Sequence, residues 1–431
     1  MKYYSLNHNS KTTDFPTAVR SGLAPDRGLY FPETIPDQSK VLQNLASFDP
    51  IEACFKAIHP YVGKTIPDDS LLTIVQETLQ FDFPIVPIHS DIGALELFHG
   101  PTLAFKDVGA RFMARCLGYF NSQNNQKLTV LVATSGDTGG AVADGFLGVE
   151  GIDVVILYPK GKVSDIQEKQ LTTLGQNITA LEVDGVFDDC QDMVKSAFLD
   201  PQIKEKQPLT SANSINVARW LPQMFYYILA VQQLEPVSKK LVFSVPSGNF
   251  GNICAGIMAQ QMGLPIAHFI ASNNVNDAVV RYLDSGIYEP QTTIPTISNA
   301  MDVGAPSNFI RIQRIVNKDR TRLQKILSGY RYTDTETKKA LKELYDTYGY
   351  IADPHGAVGY LGLQDFIAKQ KDPYYGVFLE TAHPVKFLDV VRETIKTDIA
   401  IPERIKDLIQ KEKQSTPIKD YEDLKAFLMD S

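Results

Sequence analysis

From about residue 84 onward, short apolar runs alternate with glycine-bearing turns and with stretches whose apolar residues recur at helical spacing. Each run is apolar almost throughout, which is typical of strands covered on both faces in a parallel sheet. Repeated strand–turn–helix units predict an α/β fold. The predicted strands cover residues 128–134, 154–158, 178–183, 241–245, 266–270 and 376–381.

The first part of the chain has a different pattern. Residues 1–83 begin irregularly and then show helical apolar spacing over 42–62 and 70–79, which predicts a mostly helical N-terminal region. The later strands fall into two groups, separated by the stretch from about 185 to 235. Two groups predict two open parallel-sheet lobes with a cleft between them, where ligands of open α/β sheets usually bind. The charged tail over 402–431 predicts one or two surface helices.

Composition narrows the classes of function. The 431 residues are 44% hydrophobic and 21% charged, which is enough for a large core and excludes disorder over most of the length. The net charge is −8, so the chain lacks the basic footprint of a general nucleic-acid binder. An anionic ligand therefore needs a local positive site.

Cysteine usage and hydropathy indicate the cytoplasm. The four cysteines form no Cys-x-x-Cys pair, and no His, Asp and Glu set has metal spacing, so neither a disulfide scaffold nor a metal is expected. The N-terminus has no apolar run like that of a secretory signal. The longest uncharged stretch, 241–276, is interrupted by glycine, proline and asparagine, so it predicts buried strands and a ligand loop rather than a membrane helix.

The first of three glycine turns carries a lysine. It runs over 98–109, and the apolar spacing that follows predicts a helix that begins near Lys106. The positive end of the helix dipole and desolvation both lower the pKa of a lysine placed there. A lysine of this kind suits Schiff-base chemistry. The alternative is a surface lysine paired with Asp107.

The other two turns suit anions. The turn over 134–140 lies before a predicted helix, and its backbone N–H groups could form a nest for a carboxylate or a phosphate, or it could be an ordinary strand-to-helix turn. The turn over 247–252, Ser-Gly-Asn-Phe-Gly-Asn, has glycines for close approach and polar side chains as donors. This turn has the features of a phosphate cradle. It lacks the Lys-Ser/Thr ending of the ATP-binding P-loop and the glycine spacing of the dinucleotide-binding fingerprint.

A reactive lysine, a phosphate cradle and a carboxylate-sized nest together indicate pyridoxal 5'-phosphate holding an amino acid. On its motifs the chain resembles the threonine synthase family in its long microbial form. The matching stretches are specific in combination rather than singly, and they include Phe-His-Gly-Pro-Thr-Leu-Ala-Phe-Lys-Asp at 98–107, Ala-Thr-Ser-Gly-Asp-Thr-Gly at 133–139 and Val-Pro-Ser-Gly-Asn-Phe-Gly at 245–251. Further matching stretches cover 28–32, 211–216 with Arg219, 274–277, 298–303, 353–358 and 380–384.

The resemblance implies a fold. The family has the tryptophan-synthase-β-like fold, fold type II of the pyridoxal phosphate enzymes, with two open parallel-sheet lobes and an N-terminal mostly helical region. We accordingly expect an N-terminal region at 1–83, a large cofactor-binding domain at 84–115 and 221–431, and a small α/β domain at 116–220. Pro222 departs from the helix expected after Arg219 and should bend or end it.

The resemblance also implies roles at the cofactor. Lys106 should bind it as a Schiff base, and Thr381 should face its pyridine nitrogen. Asp137 lies where related dehydratases carry an Asn near the phenolic oxygen, and either contacts that oxygen or shapes the loop. The residues that should hold the cofactor phosphate are Ser247, Gly248, Asn249, Phe250, Gly251 and Asn252.

The reaction implied by the family converts O-phospho-L-homoserine and water into L-threonine and phosphate, the last step of threonine biosynthesis. Thr134, Ser135 and Thr138 are then candidates for the substrate carboxylate. Candidates for the leaving phosphate are Ser214, Asn216 and Arg219, although Arg219 could instead form an ordinary surface salt bridge. The expected partner is this small-molecule substrate, with no nucleic acid and no membrane, in a monomer or homodimer. The histidines inside the motifs, His99, His355 and His383, are expected to be satisfied by core hydrogen bonds.

Other functions compete with this interpretation. The nearest is another reaction on the same fold, such as a serine or threonine dehydratase or a phospho-lyase that yields a keto acid, because fold alone does not separate these. A catalytically silent ligand-binding scaffold is a second alternative, against which Lys106 and both anion turns argue. A nucleotide-binding protein is disfavoured because the sequence lacks both nucleotide motifs. We also expect the lobes to close on substrate.

Overall fold

The computed structural model describes residues 1–123, 127–234 and 239–430. It begins with a small antiparallel strand pair, which the pattern did not indicate, and continues with the helices that the pattern over 1–83 predicts. Asp14 and Asp49 cap two of these helices by accepting first-turn N–H groups, and each helix has a proline in its first turn. The elements are β1 (Tyr3–Ser5), α1 (Phe15–Ser21), β2 (Tyr30–Pro32), α2 (Ser39–Leu42), α3 (Pro50–Val62) and α4 (Asp68–Thr78).

Strands and helices then alternate. The next elements are β3 (Ile85–His89), β4 (Ile92–Glu96), α5 (Lys106–Ser122), β5 (Leu128–Ala133), α6 (Asp137–Phe146), β6 (Ile152–Pro159), α7 (Asp165–Thr172), β7 (Ile178–Val183), α8 (Phe187–Leu199), α9 (Pro201–Lys206), β8 (Leu209–Thr210) and α10 (Val217–Trp220). The remaining elements are α11 (Met224–Leu234), β9 (Lys240–Pro246), α12 (Gly251–Gln261), β10 (His268–Asn273), α13 (Ala278–Ser285), α14 (Phe309–Ile315), α15 (Arg320–Ile326), β11 (Leu327–Arg331), α16 (Asp334–Tyr348), α17 (Pro354–Ile367), β12 (Tyr374–Glu380), α18 (Leu388–Ile395), α19 (Glu403–Gln410), β13 (Thr416–Ile418) and α20 (Tyr421–Asp430).

Two sheets form the two predicted lobes. The larger has the strand order β11-β10-β9-β12-β4-β3 and is parallel except for the β3–β4 hairpin. The smaller has the order β13-β7-β6-β5-β8 and is parallel throughout. All six predicted strands are present, with ends within three residues of the prediction. The α/β class and the two-lobe architecture predicted from sequence are therefore confirmed.

The end of the chain returns to the smaller sheet. The strand β13 pairs with β7, although its residues lie outside the range 116–220 expected for the small domain. Helix α20 follows it, and Leu424 and Leu428 pack into the same apolar cluster as Leu131 and Leu181. A three-residue strand with the sequence Thr-Pro-Ile has no periodic signal, so the sequence pattern indicated only helices here. The exact domain boundaries stay a prediction.

The core positions the helices that flank the cleft. Most residues of α11 and α12 are buried, which explains why these helices show little apolar-polar alternation. Pro222 lies in a 3-10 turn, Leu221–Gln223, between α10 and α11, so the predicted break in the helix is present. All four cysteines are free and buried. In the part of the chain that the structure describes, no helix combines the length and apolar character needed to cross a bilayer.

Candidate active site

A large cleft lies where strands from both sheets end. Its volume is about 1800 Å³, and residues that follow β5, β9 and β12 line it. This is the edge at which open parallel sheets bind ligands. The lining side chains and loops predicted from sequence are Lys106, Ser135, Thr138, Ser214, Arg219, Ser247, Gly248, Asn249, Phe250, Gly251, Asn252 and Thr381. The structure thus brings together most of the predicted site.

Lys106 is the first residue of α5, as predicted. It lines the cleft and is partly buried. Asp107 is not its partner, because the Asp107 carboxylate accepts the Thr102 N–H at 2.9 Å and the Thr102 hydroxyl. Desolvation lowers the pKa of Lys106 to about 8, with Lys386 and Arg219 adding to the effect and Asp137 opposing it. Such a lysine is partly neutral near physiological pH, which suits nucleophilic and general-base chemistry.

The turn over 247–252 forms an open cradle. Phe250 adopts a left-handed conformation (φ 59°) immediately before α12 begins, and no described side chain caps that helix. A Cβ on Gly248 would lie 2.7 Å from Met301 Cα, so only glycine fits. The Asn252 side chain is buried; its Oδ1 accepts the Tyr227 hydroxyl at 2.7 Å, and its Nδ2 has no protein partner within the described chain.

These observations fit a bound phosphate. Free N–H groups at a helix N-terminus and the helix dipole both favour an anion. An unpartnered buried amide donor is costly unless a ligand accepts from it. The cradle is therefore of the right chemistry for the phosphate of pyridoxal phosphate, with Lys106 and Thr381 lining the same cleft.

In the turn over 134–140, a side chain of the turn itself accepts two of the backbone N–H groups. The Thr134 Oγ accepts the N–H groups of Gly136 at 3.0 Å and Gly139 at 2.8 Å, and Thr134 is not among the residues that line the cleft. Ser135 and Thr138 do line it. Two of the three candidates for the substrate carboxylate therefore face the cleft, and the third organises the turn.

Asp137 begins α6 and is buried below the turn. Its Oδ1 lies 2.6 Å from the Lys386 ammonium and accepts Gln167 Nε2 at 2.9 Å. Burial alone raises the pKa of Asp137, but the charges of Lys386 and Lys106 outweigh it and hold the pKa well below its ordinary value. In this structure Asp137 does not line the cleft, so its geometry matches the loop-shaping alternative.

Lys386 is a site residue that sequence reasoning missed. It is fully buried and donates to the Thr102 carbonyl at 2.9 Å as well as to Asp137. It therefore connects the loop after β12 to the turns before α5 and α6, three segments distant in sequence. The available signal was weak: a lysine between Val385 and Phe387, just beyond the Thr381 motif.

The three candidates for the leaving phosphate differ in position. Ser214 and Arg219 line the cleft, whereas Asn216 does not. The Asn216 side chain caps α10, and its Nδ2 donates to the Val19 carbonyl at 2.8 Å and the Ser211 carbonyl at 3.2 Å. A role for Asn216 as a direct substrate ligand stays a prediction, and here its amide is used by the backbone.

Arg219 is buried rather than on the surface. It donates to the Ala212 carbonyl, its Nε has no partner, and no carboxylate pairs with it among the described residues. Burial lowers its pKa to about 10, so it stays charged at neutral pH. A buried guanidinium without a carboxylate is costly, and the cost is relieved when an anion binds. The alternative of an ordinary surface salt bridge does not describe this side chain.

The motif histidines are hydrogen-bonded, as expected. His99 contacts Glu96 at 2.7 Å, and His383 Nδ1 accepts the Val385 N–H at 3.1 Å. His355 lines the cleft; its Nδ1 lies 2.6 Å from Asp353, and its Nε2 accepts the Ala300 N–H at 3.1 Å. Since Nε2 accepts an N–H, the Nδ1 hydrogen points toward Asp353. No cluster of His, Cys, Asp and Glu suited to a metal occurs in the described ranges.

Comparison with known proteins agrees with this geometry. The family model "Pyridoxal-phosphate dependent enzyme" matches residues 94–374, and models of the threonine synthase N terminus and C-terminal region match 2–79 and 356–428. Threonine synthase of Haemophilus influenzae is 43% identical over 434 residues, covering 100% of both chains.

Solved structures agree as well. The crystal structure of threonine synthase from Escherichia coli has a TM-score of 0.93 at 40% identity and covers 100% of both chains. The structure of PLP-bound threonine synthase from Brucella melitensis has a TM-score of 0.92 at 34% identity, covering 99% of this chain and 98% of that one. The chain therefore belongs to the threonine synthase family of pyridoxal-phosphate dependent enzymes.

Proposed function

We propose that the threonine synthase activity of this chain acts on O-phospho-L-homoserine, with water as second reactant and inorganic phosphate as second product, in the cleft around Lys106. One observation carries the proposal: two separate anion positions lie beside one lysine of lowered pKa. The first is the cradle over 247–252, and the second is the buried guanidinium of Arg219. A phosphorylated cofactor and a phosphorylated substrate together supply two such anions.

The cofactor phosphate would be held by Ser247, Gly248, Asn249, Phe250, Gly251 and Asn252, through the N–H groups at the start of α12. Thr381 would offer its hydroxyl to the ring nitrogen. Lys106 would bind the cofactor covalently in the resting enzyme. When bound, pyridoxal phosphate supplies an electron sink that acidifies the protons next to the substrate amine.

Lys106 then moves the protons. With the cofactor and substrate bound, its neutral amine would take the proton from Cα and afterwards one from Cβ as the phosphate leaves from Cγ, and it would return one proton to Cγ, which becomes a methyl group. The pKa of about 8 leaves part of the lysine population neutral at physiological pH. The oxygen of a water molecule would finally add at Cβ, and return of a proton to Cα would complete threonine, with the proton of the water leaving with the phosphate.

The remaining residues would hold the substrate. Ser135 and Thr138 would bind its carboxylate with the N–H groups at the start of α6, while Thr134 keeps that turn in shape through its two backbone hydrogen bonds. Ser214 and Arg219 would bind its phosphate. Asp137 and Lys386 would act behind these groups, as a buried ion pair that joins the two sides of the cleft. We place the enzyme in the cytoplasm, which the four free, buried cysteines support, and we expect a monomer or homodimer.

A product assay tests the proposal. The purified protein, loaded with pyridoxal phosphate, is given O-phospho-L-homoserine, and threonine, keto acid and inorganic phosphate are measured together. We expect threonine and phosphate in equal amounts. Phosphate with keto acid in place of threonine would assign a phospho-lyase instead. A protein that binds the cofactor but releases no phosphate would leave only the silent scaffold.

A further inference from the structure

A fully buried arginine lies behind the phosphate cradle. Arg311 is on α14, its Cζ is 4.3 Å from the centroid of the Trp220 ring, and no carboxylate pairs with it in the described part of the chain. Burying a cation without an anion is costly, so the presence of Arg311 needs a reason. Its four hydrogen bonds all go to neutral acceptors: the carbonyls of Tyr30 (3.0 Å), Ser214 (3.0 Å) and Ile215 (2.6 Å), and Asn308 Oδ1 (2.7 Å).

Arg311 fixes which way the neighbouring amide points. A guanidinium only donates hydrogen bonds, so the Asn308 atom that faces it must be the oxygen. The Asn308 amino group then faces Ser214 and donates to its Oγ at 3.0 Å, and it also donates to the Asn249 carbonyl at 3.1 Å. A second amide is fixed in the same sense: Asn249 Oδ1 accepts the Ser307 N–H at 2.5 Å, and Asn249 Nδ2 donates to Ser214 Oγ at 3.2 Å.

Ser214 is left with one free group, its hydrogen. A hydroxyl has two lone pairs and one hydrogen, and both lone pairs of Ser214 are used by the two amides. The described residues provide no acceptor for the hydrogen, and Ser214 lines the cleft. It also lies against the cradle, because a Cβ on Gly251 would be 3.2 Å from Ser214 Cβ. Ser214 is therefore a donor available to an anion in the cleft.

We propose that Arg311 is a positioning residue: it sets the direction of the Asn308–Ser214–Asn249 hydrogen bonds, so that Ser214 donates its hydrogen to a phosphate monoester in the cleft. This rests on the proposed function, which supplies two such phosphates, one on the cofactor and one on the substrate. Without the guanidinium, only the Asn249 carbonyl holds this orientation of the Asn308 amide, so the amide turns over more readily and accepts from Ser214, which then points its hydrogen away from the anion. Arg311 thus acts on the phosphate through Ser214.

A double-mutant cycle tests this coupling. The variants are Arg311→Lys and Ser214→Ala, alone and together. A lysine keeps the charge but cannot donate to all four acceptors at once. We expect Arg311→Lys to weaken phosphate binding about tenfold when Ser214 is present, and less than about twofold in the Ser214→Ala background, because a hydrogen bond to a charged group is lost only in the first case. An equal loss in both backgrounds would mean a merely structural role and would overturn the proposal.

Two binding measurements separate the two phosphates. One is the dissociation constant of pyridoxal phosphate from the apoenzyme, followed by absorbance. The other is the inhibition constant of inorganic phosphate on the holoenzyme. Coupling in the first assigns Ser214 to the cofactor phosphate, coupling in the second assigns it to the substrate phosphate, and coupling in neither overturns the proposal. Cofactor binding can be measured without turnover. A wild-type enzyme that fails to make threonine would therefore refute the proposed function, while the double-mutant cycle on cofactor binding would still test the role of Arg311.

Two further variants provide a control and a replacement for Arg311→Lys. Arg314→Lys makes the same chemical change on the same helix, where the side chain instead contacts Tyr4 and Asn317, and should leave both constants within about twofold. If Arg311→Lys does not fold, as judged by circular dichroism, Asn308→Ala takes its place in the cycle. That variant removes one donor to Ser214, and its effect must likewise disappear in the Ser214→Ala background.

Discussion

Two glycine turns of this enzyme look alike in sequence but differ in how many hydrogen-bond donors they leave without a protein partner. Both follow a buried strand and open a helix. In the turn over 134–140, Thr134 accepts two of the turn's N–H groups and Asp137 supplies a carboxylate at the helix start. In the turn over 247–252, no described side chain caps the helix, and Asn252 keeps an unpartnered donor. The first turn uses two of its N–H groups internally, and the second keeps its donors free for an anion.

The same difference separates two lysines. Lys386 is fully buried and forms an ion pair with Asp137, so its charge is compensated within the protein. Lys106 lines the cleft, and its pKa is lowered to about 8 by desolvation. Polar and charged groups that already have protein partners hold the fold together. Groups without a protein partner are the ones that bind cofactor and substrate. Three predictions test this division.

The largest effect is expected from breaking the pair under the first turn. Lys386→Met leaves the Asp137 carboxylate buried without its cation, which should lower the free energy of unfolding by about 3–5 kcal/mol. The double variant Lys386→Met/Asp137→Asn should recover most of that loss, since neither charge remains. Urea unfolding of the apoenzyme measures both.

A surface pair provides the control for that experiment. Lys342 and Asp346 lie 2.8 Å apart with both side chains about half exposed, so Lys342→Met should cost less than about 1 kcal/mol. A loss in Lys386→Met as small as that in Lys342→Met would show that the buried pair is not part of the scaffold.

A matched pair of glycine substitutions compares the two turns directly. Gly248→Ala places a Cβ 2.7 Å from the Met301 backbone, and overpacking of about 1–3 kcal/mol should raise the dissociation constant of pyridoxal phosphate roughly 5- to 150-fold. Gly140→Ala meets only the Gln170 side chain, at the looser distance of 3.3 Å, and should change the dissociation constant less than about twofold. Titration of both apoenzymes with the cofactor gives the two constants. An equal loss of cofactor affinity in both variants would refute the difference between the turns.

The smallest effect is a pH shift at Lys106. The neutral amine is the reactive form, so the rate at which apoenzyme combines with pyridoxal phosphate should rise with pH and level off above about 8. Asp137 stabilises the Lys106 ammonium and Lys386 destabilises it. Asp137→Asn should therefore move the midpoint down, and Lys386→Met should move it up, each by on the order of one pH unit. Stopped-flow absorbance measures the rates, and midpoints that move in the opposite directions would contradict the assignment.

Local sequence signals predicted much of this structure. The apolar runs identified the buried strands, the spacing after residue 105 identified the start of α5, and Pro222 marked the break between α10 and α11. The cradle over 247–252 was also recognisable, because its glycines allow close approach and the helix that follows offers N–H groups to an anion.

The partners across the cleft were not predictable in this way. Lys386 contacts Thr102 across 284 positions, and Arg311 contacts Tyr30 across 281. Nothing in local spacing encodes such pairs, since they depend on how the two sheets and the N-terminal region pack. For the same reason, sequence could not show that the Asn216 amide is used by Val19, or that β13 joins the smaller sheet.

Reductive trapping tests the central claim most directly. The holoenzyme is treated with borohydride, digested, and mapped by mass spectrometry to locate the lysine that carries the reduced cofactor. Since Lys386 is held by Asp137 and Lys106 lines the cleft, we predict the label on the peptide containing Lys106 alone. A label on Lys386 would contradict the division between satisfied and unsatisfied groups.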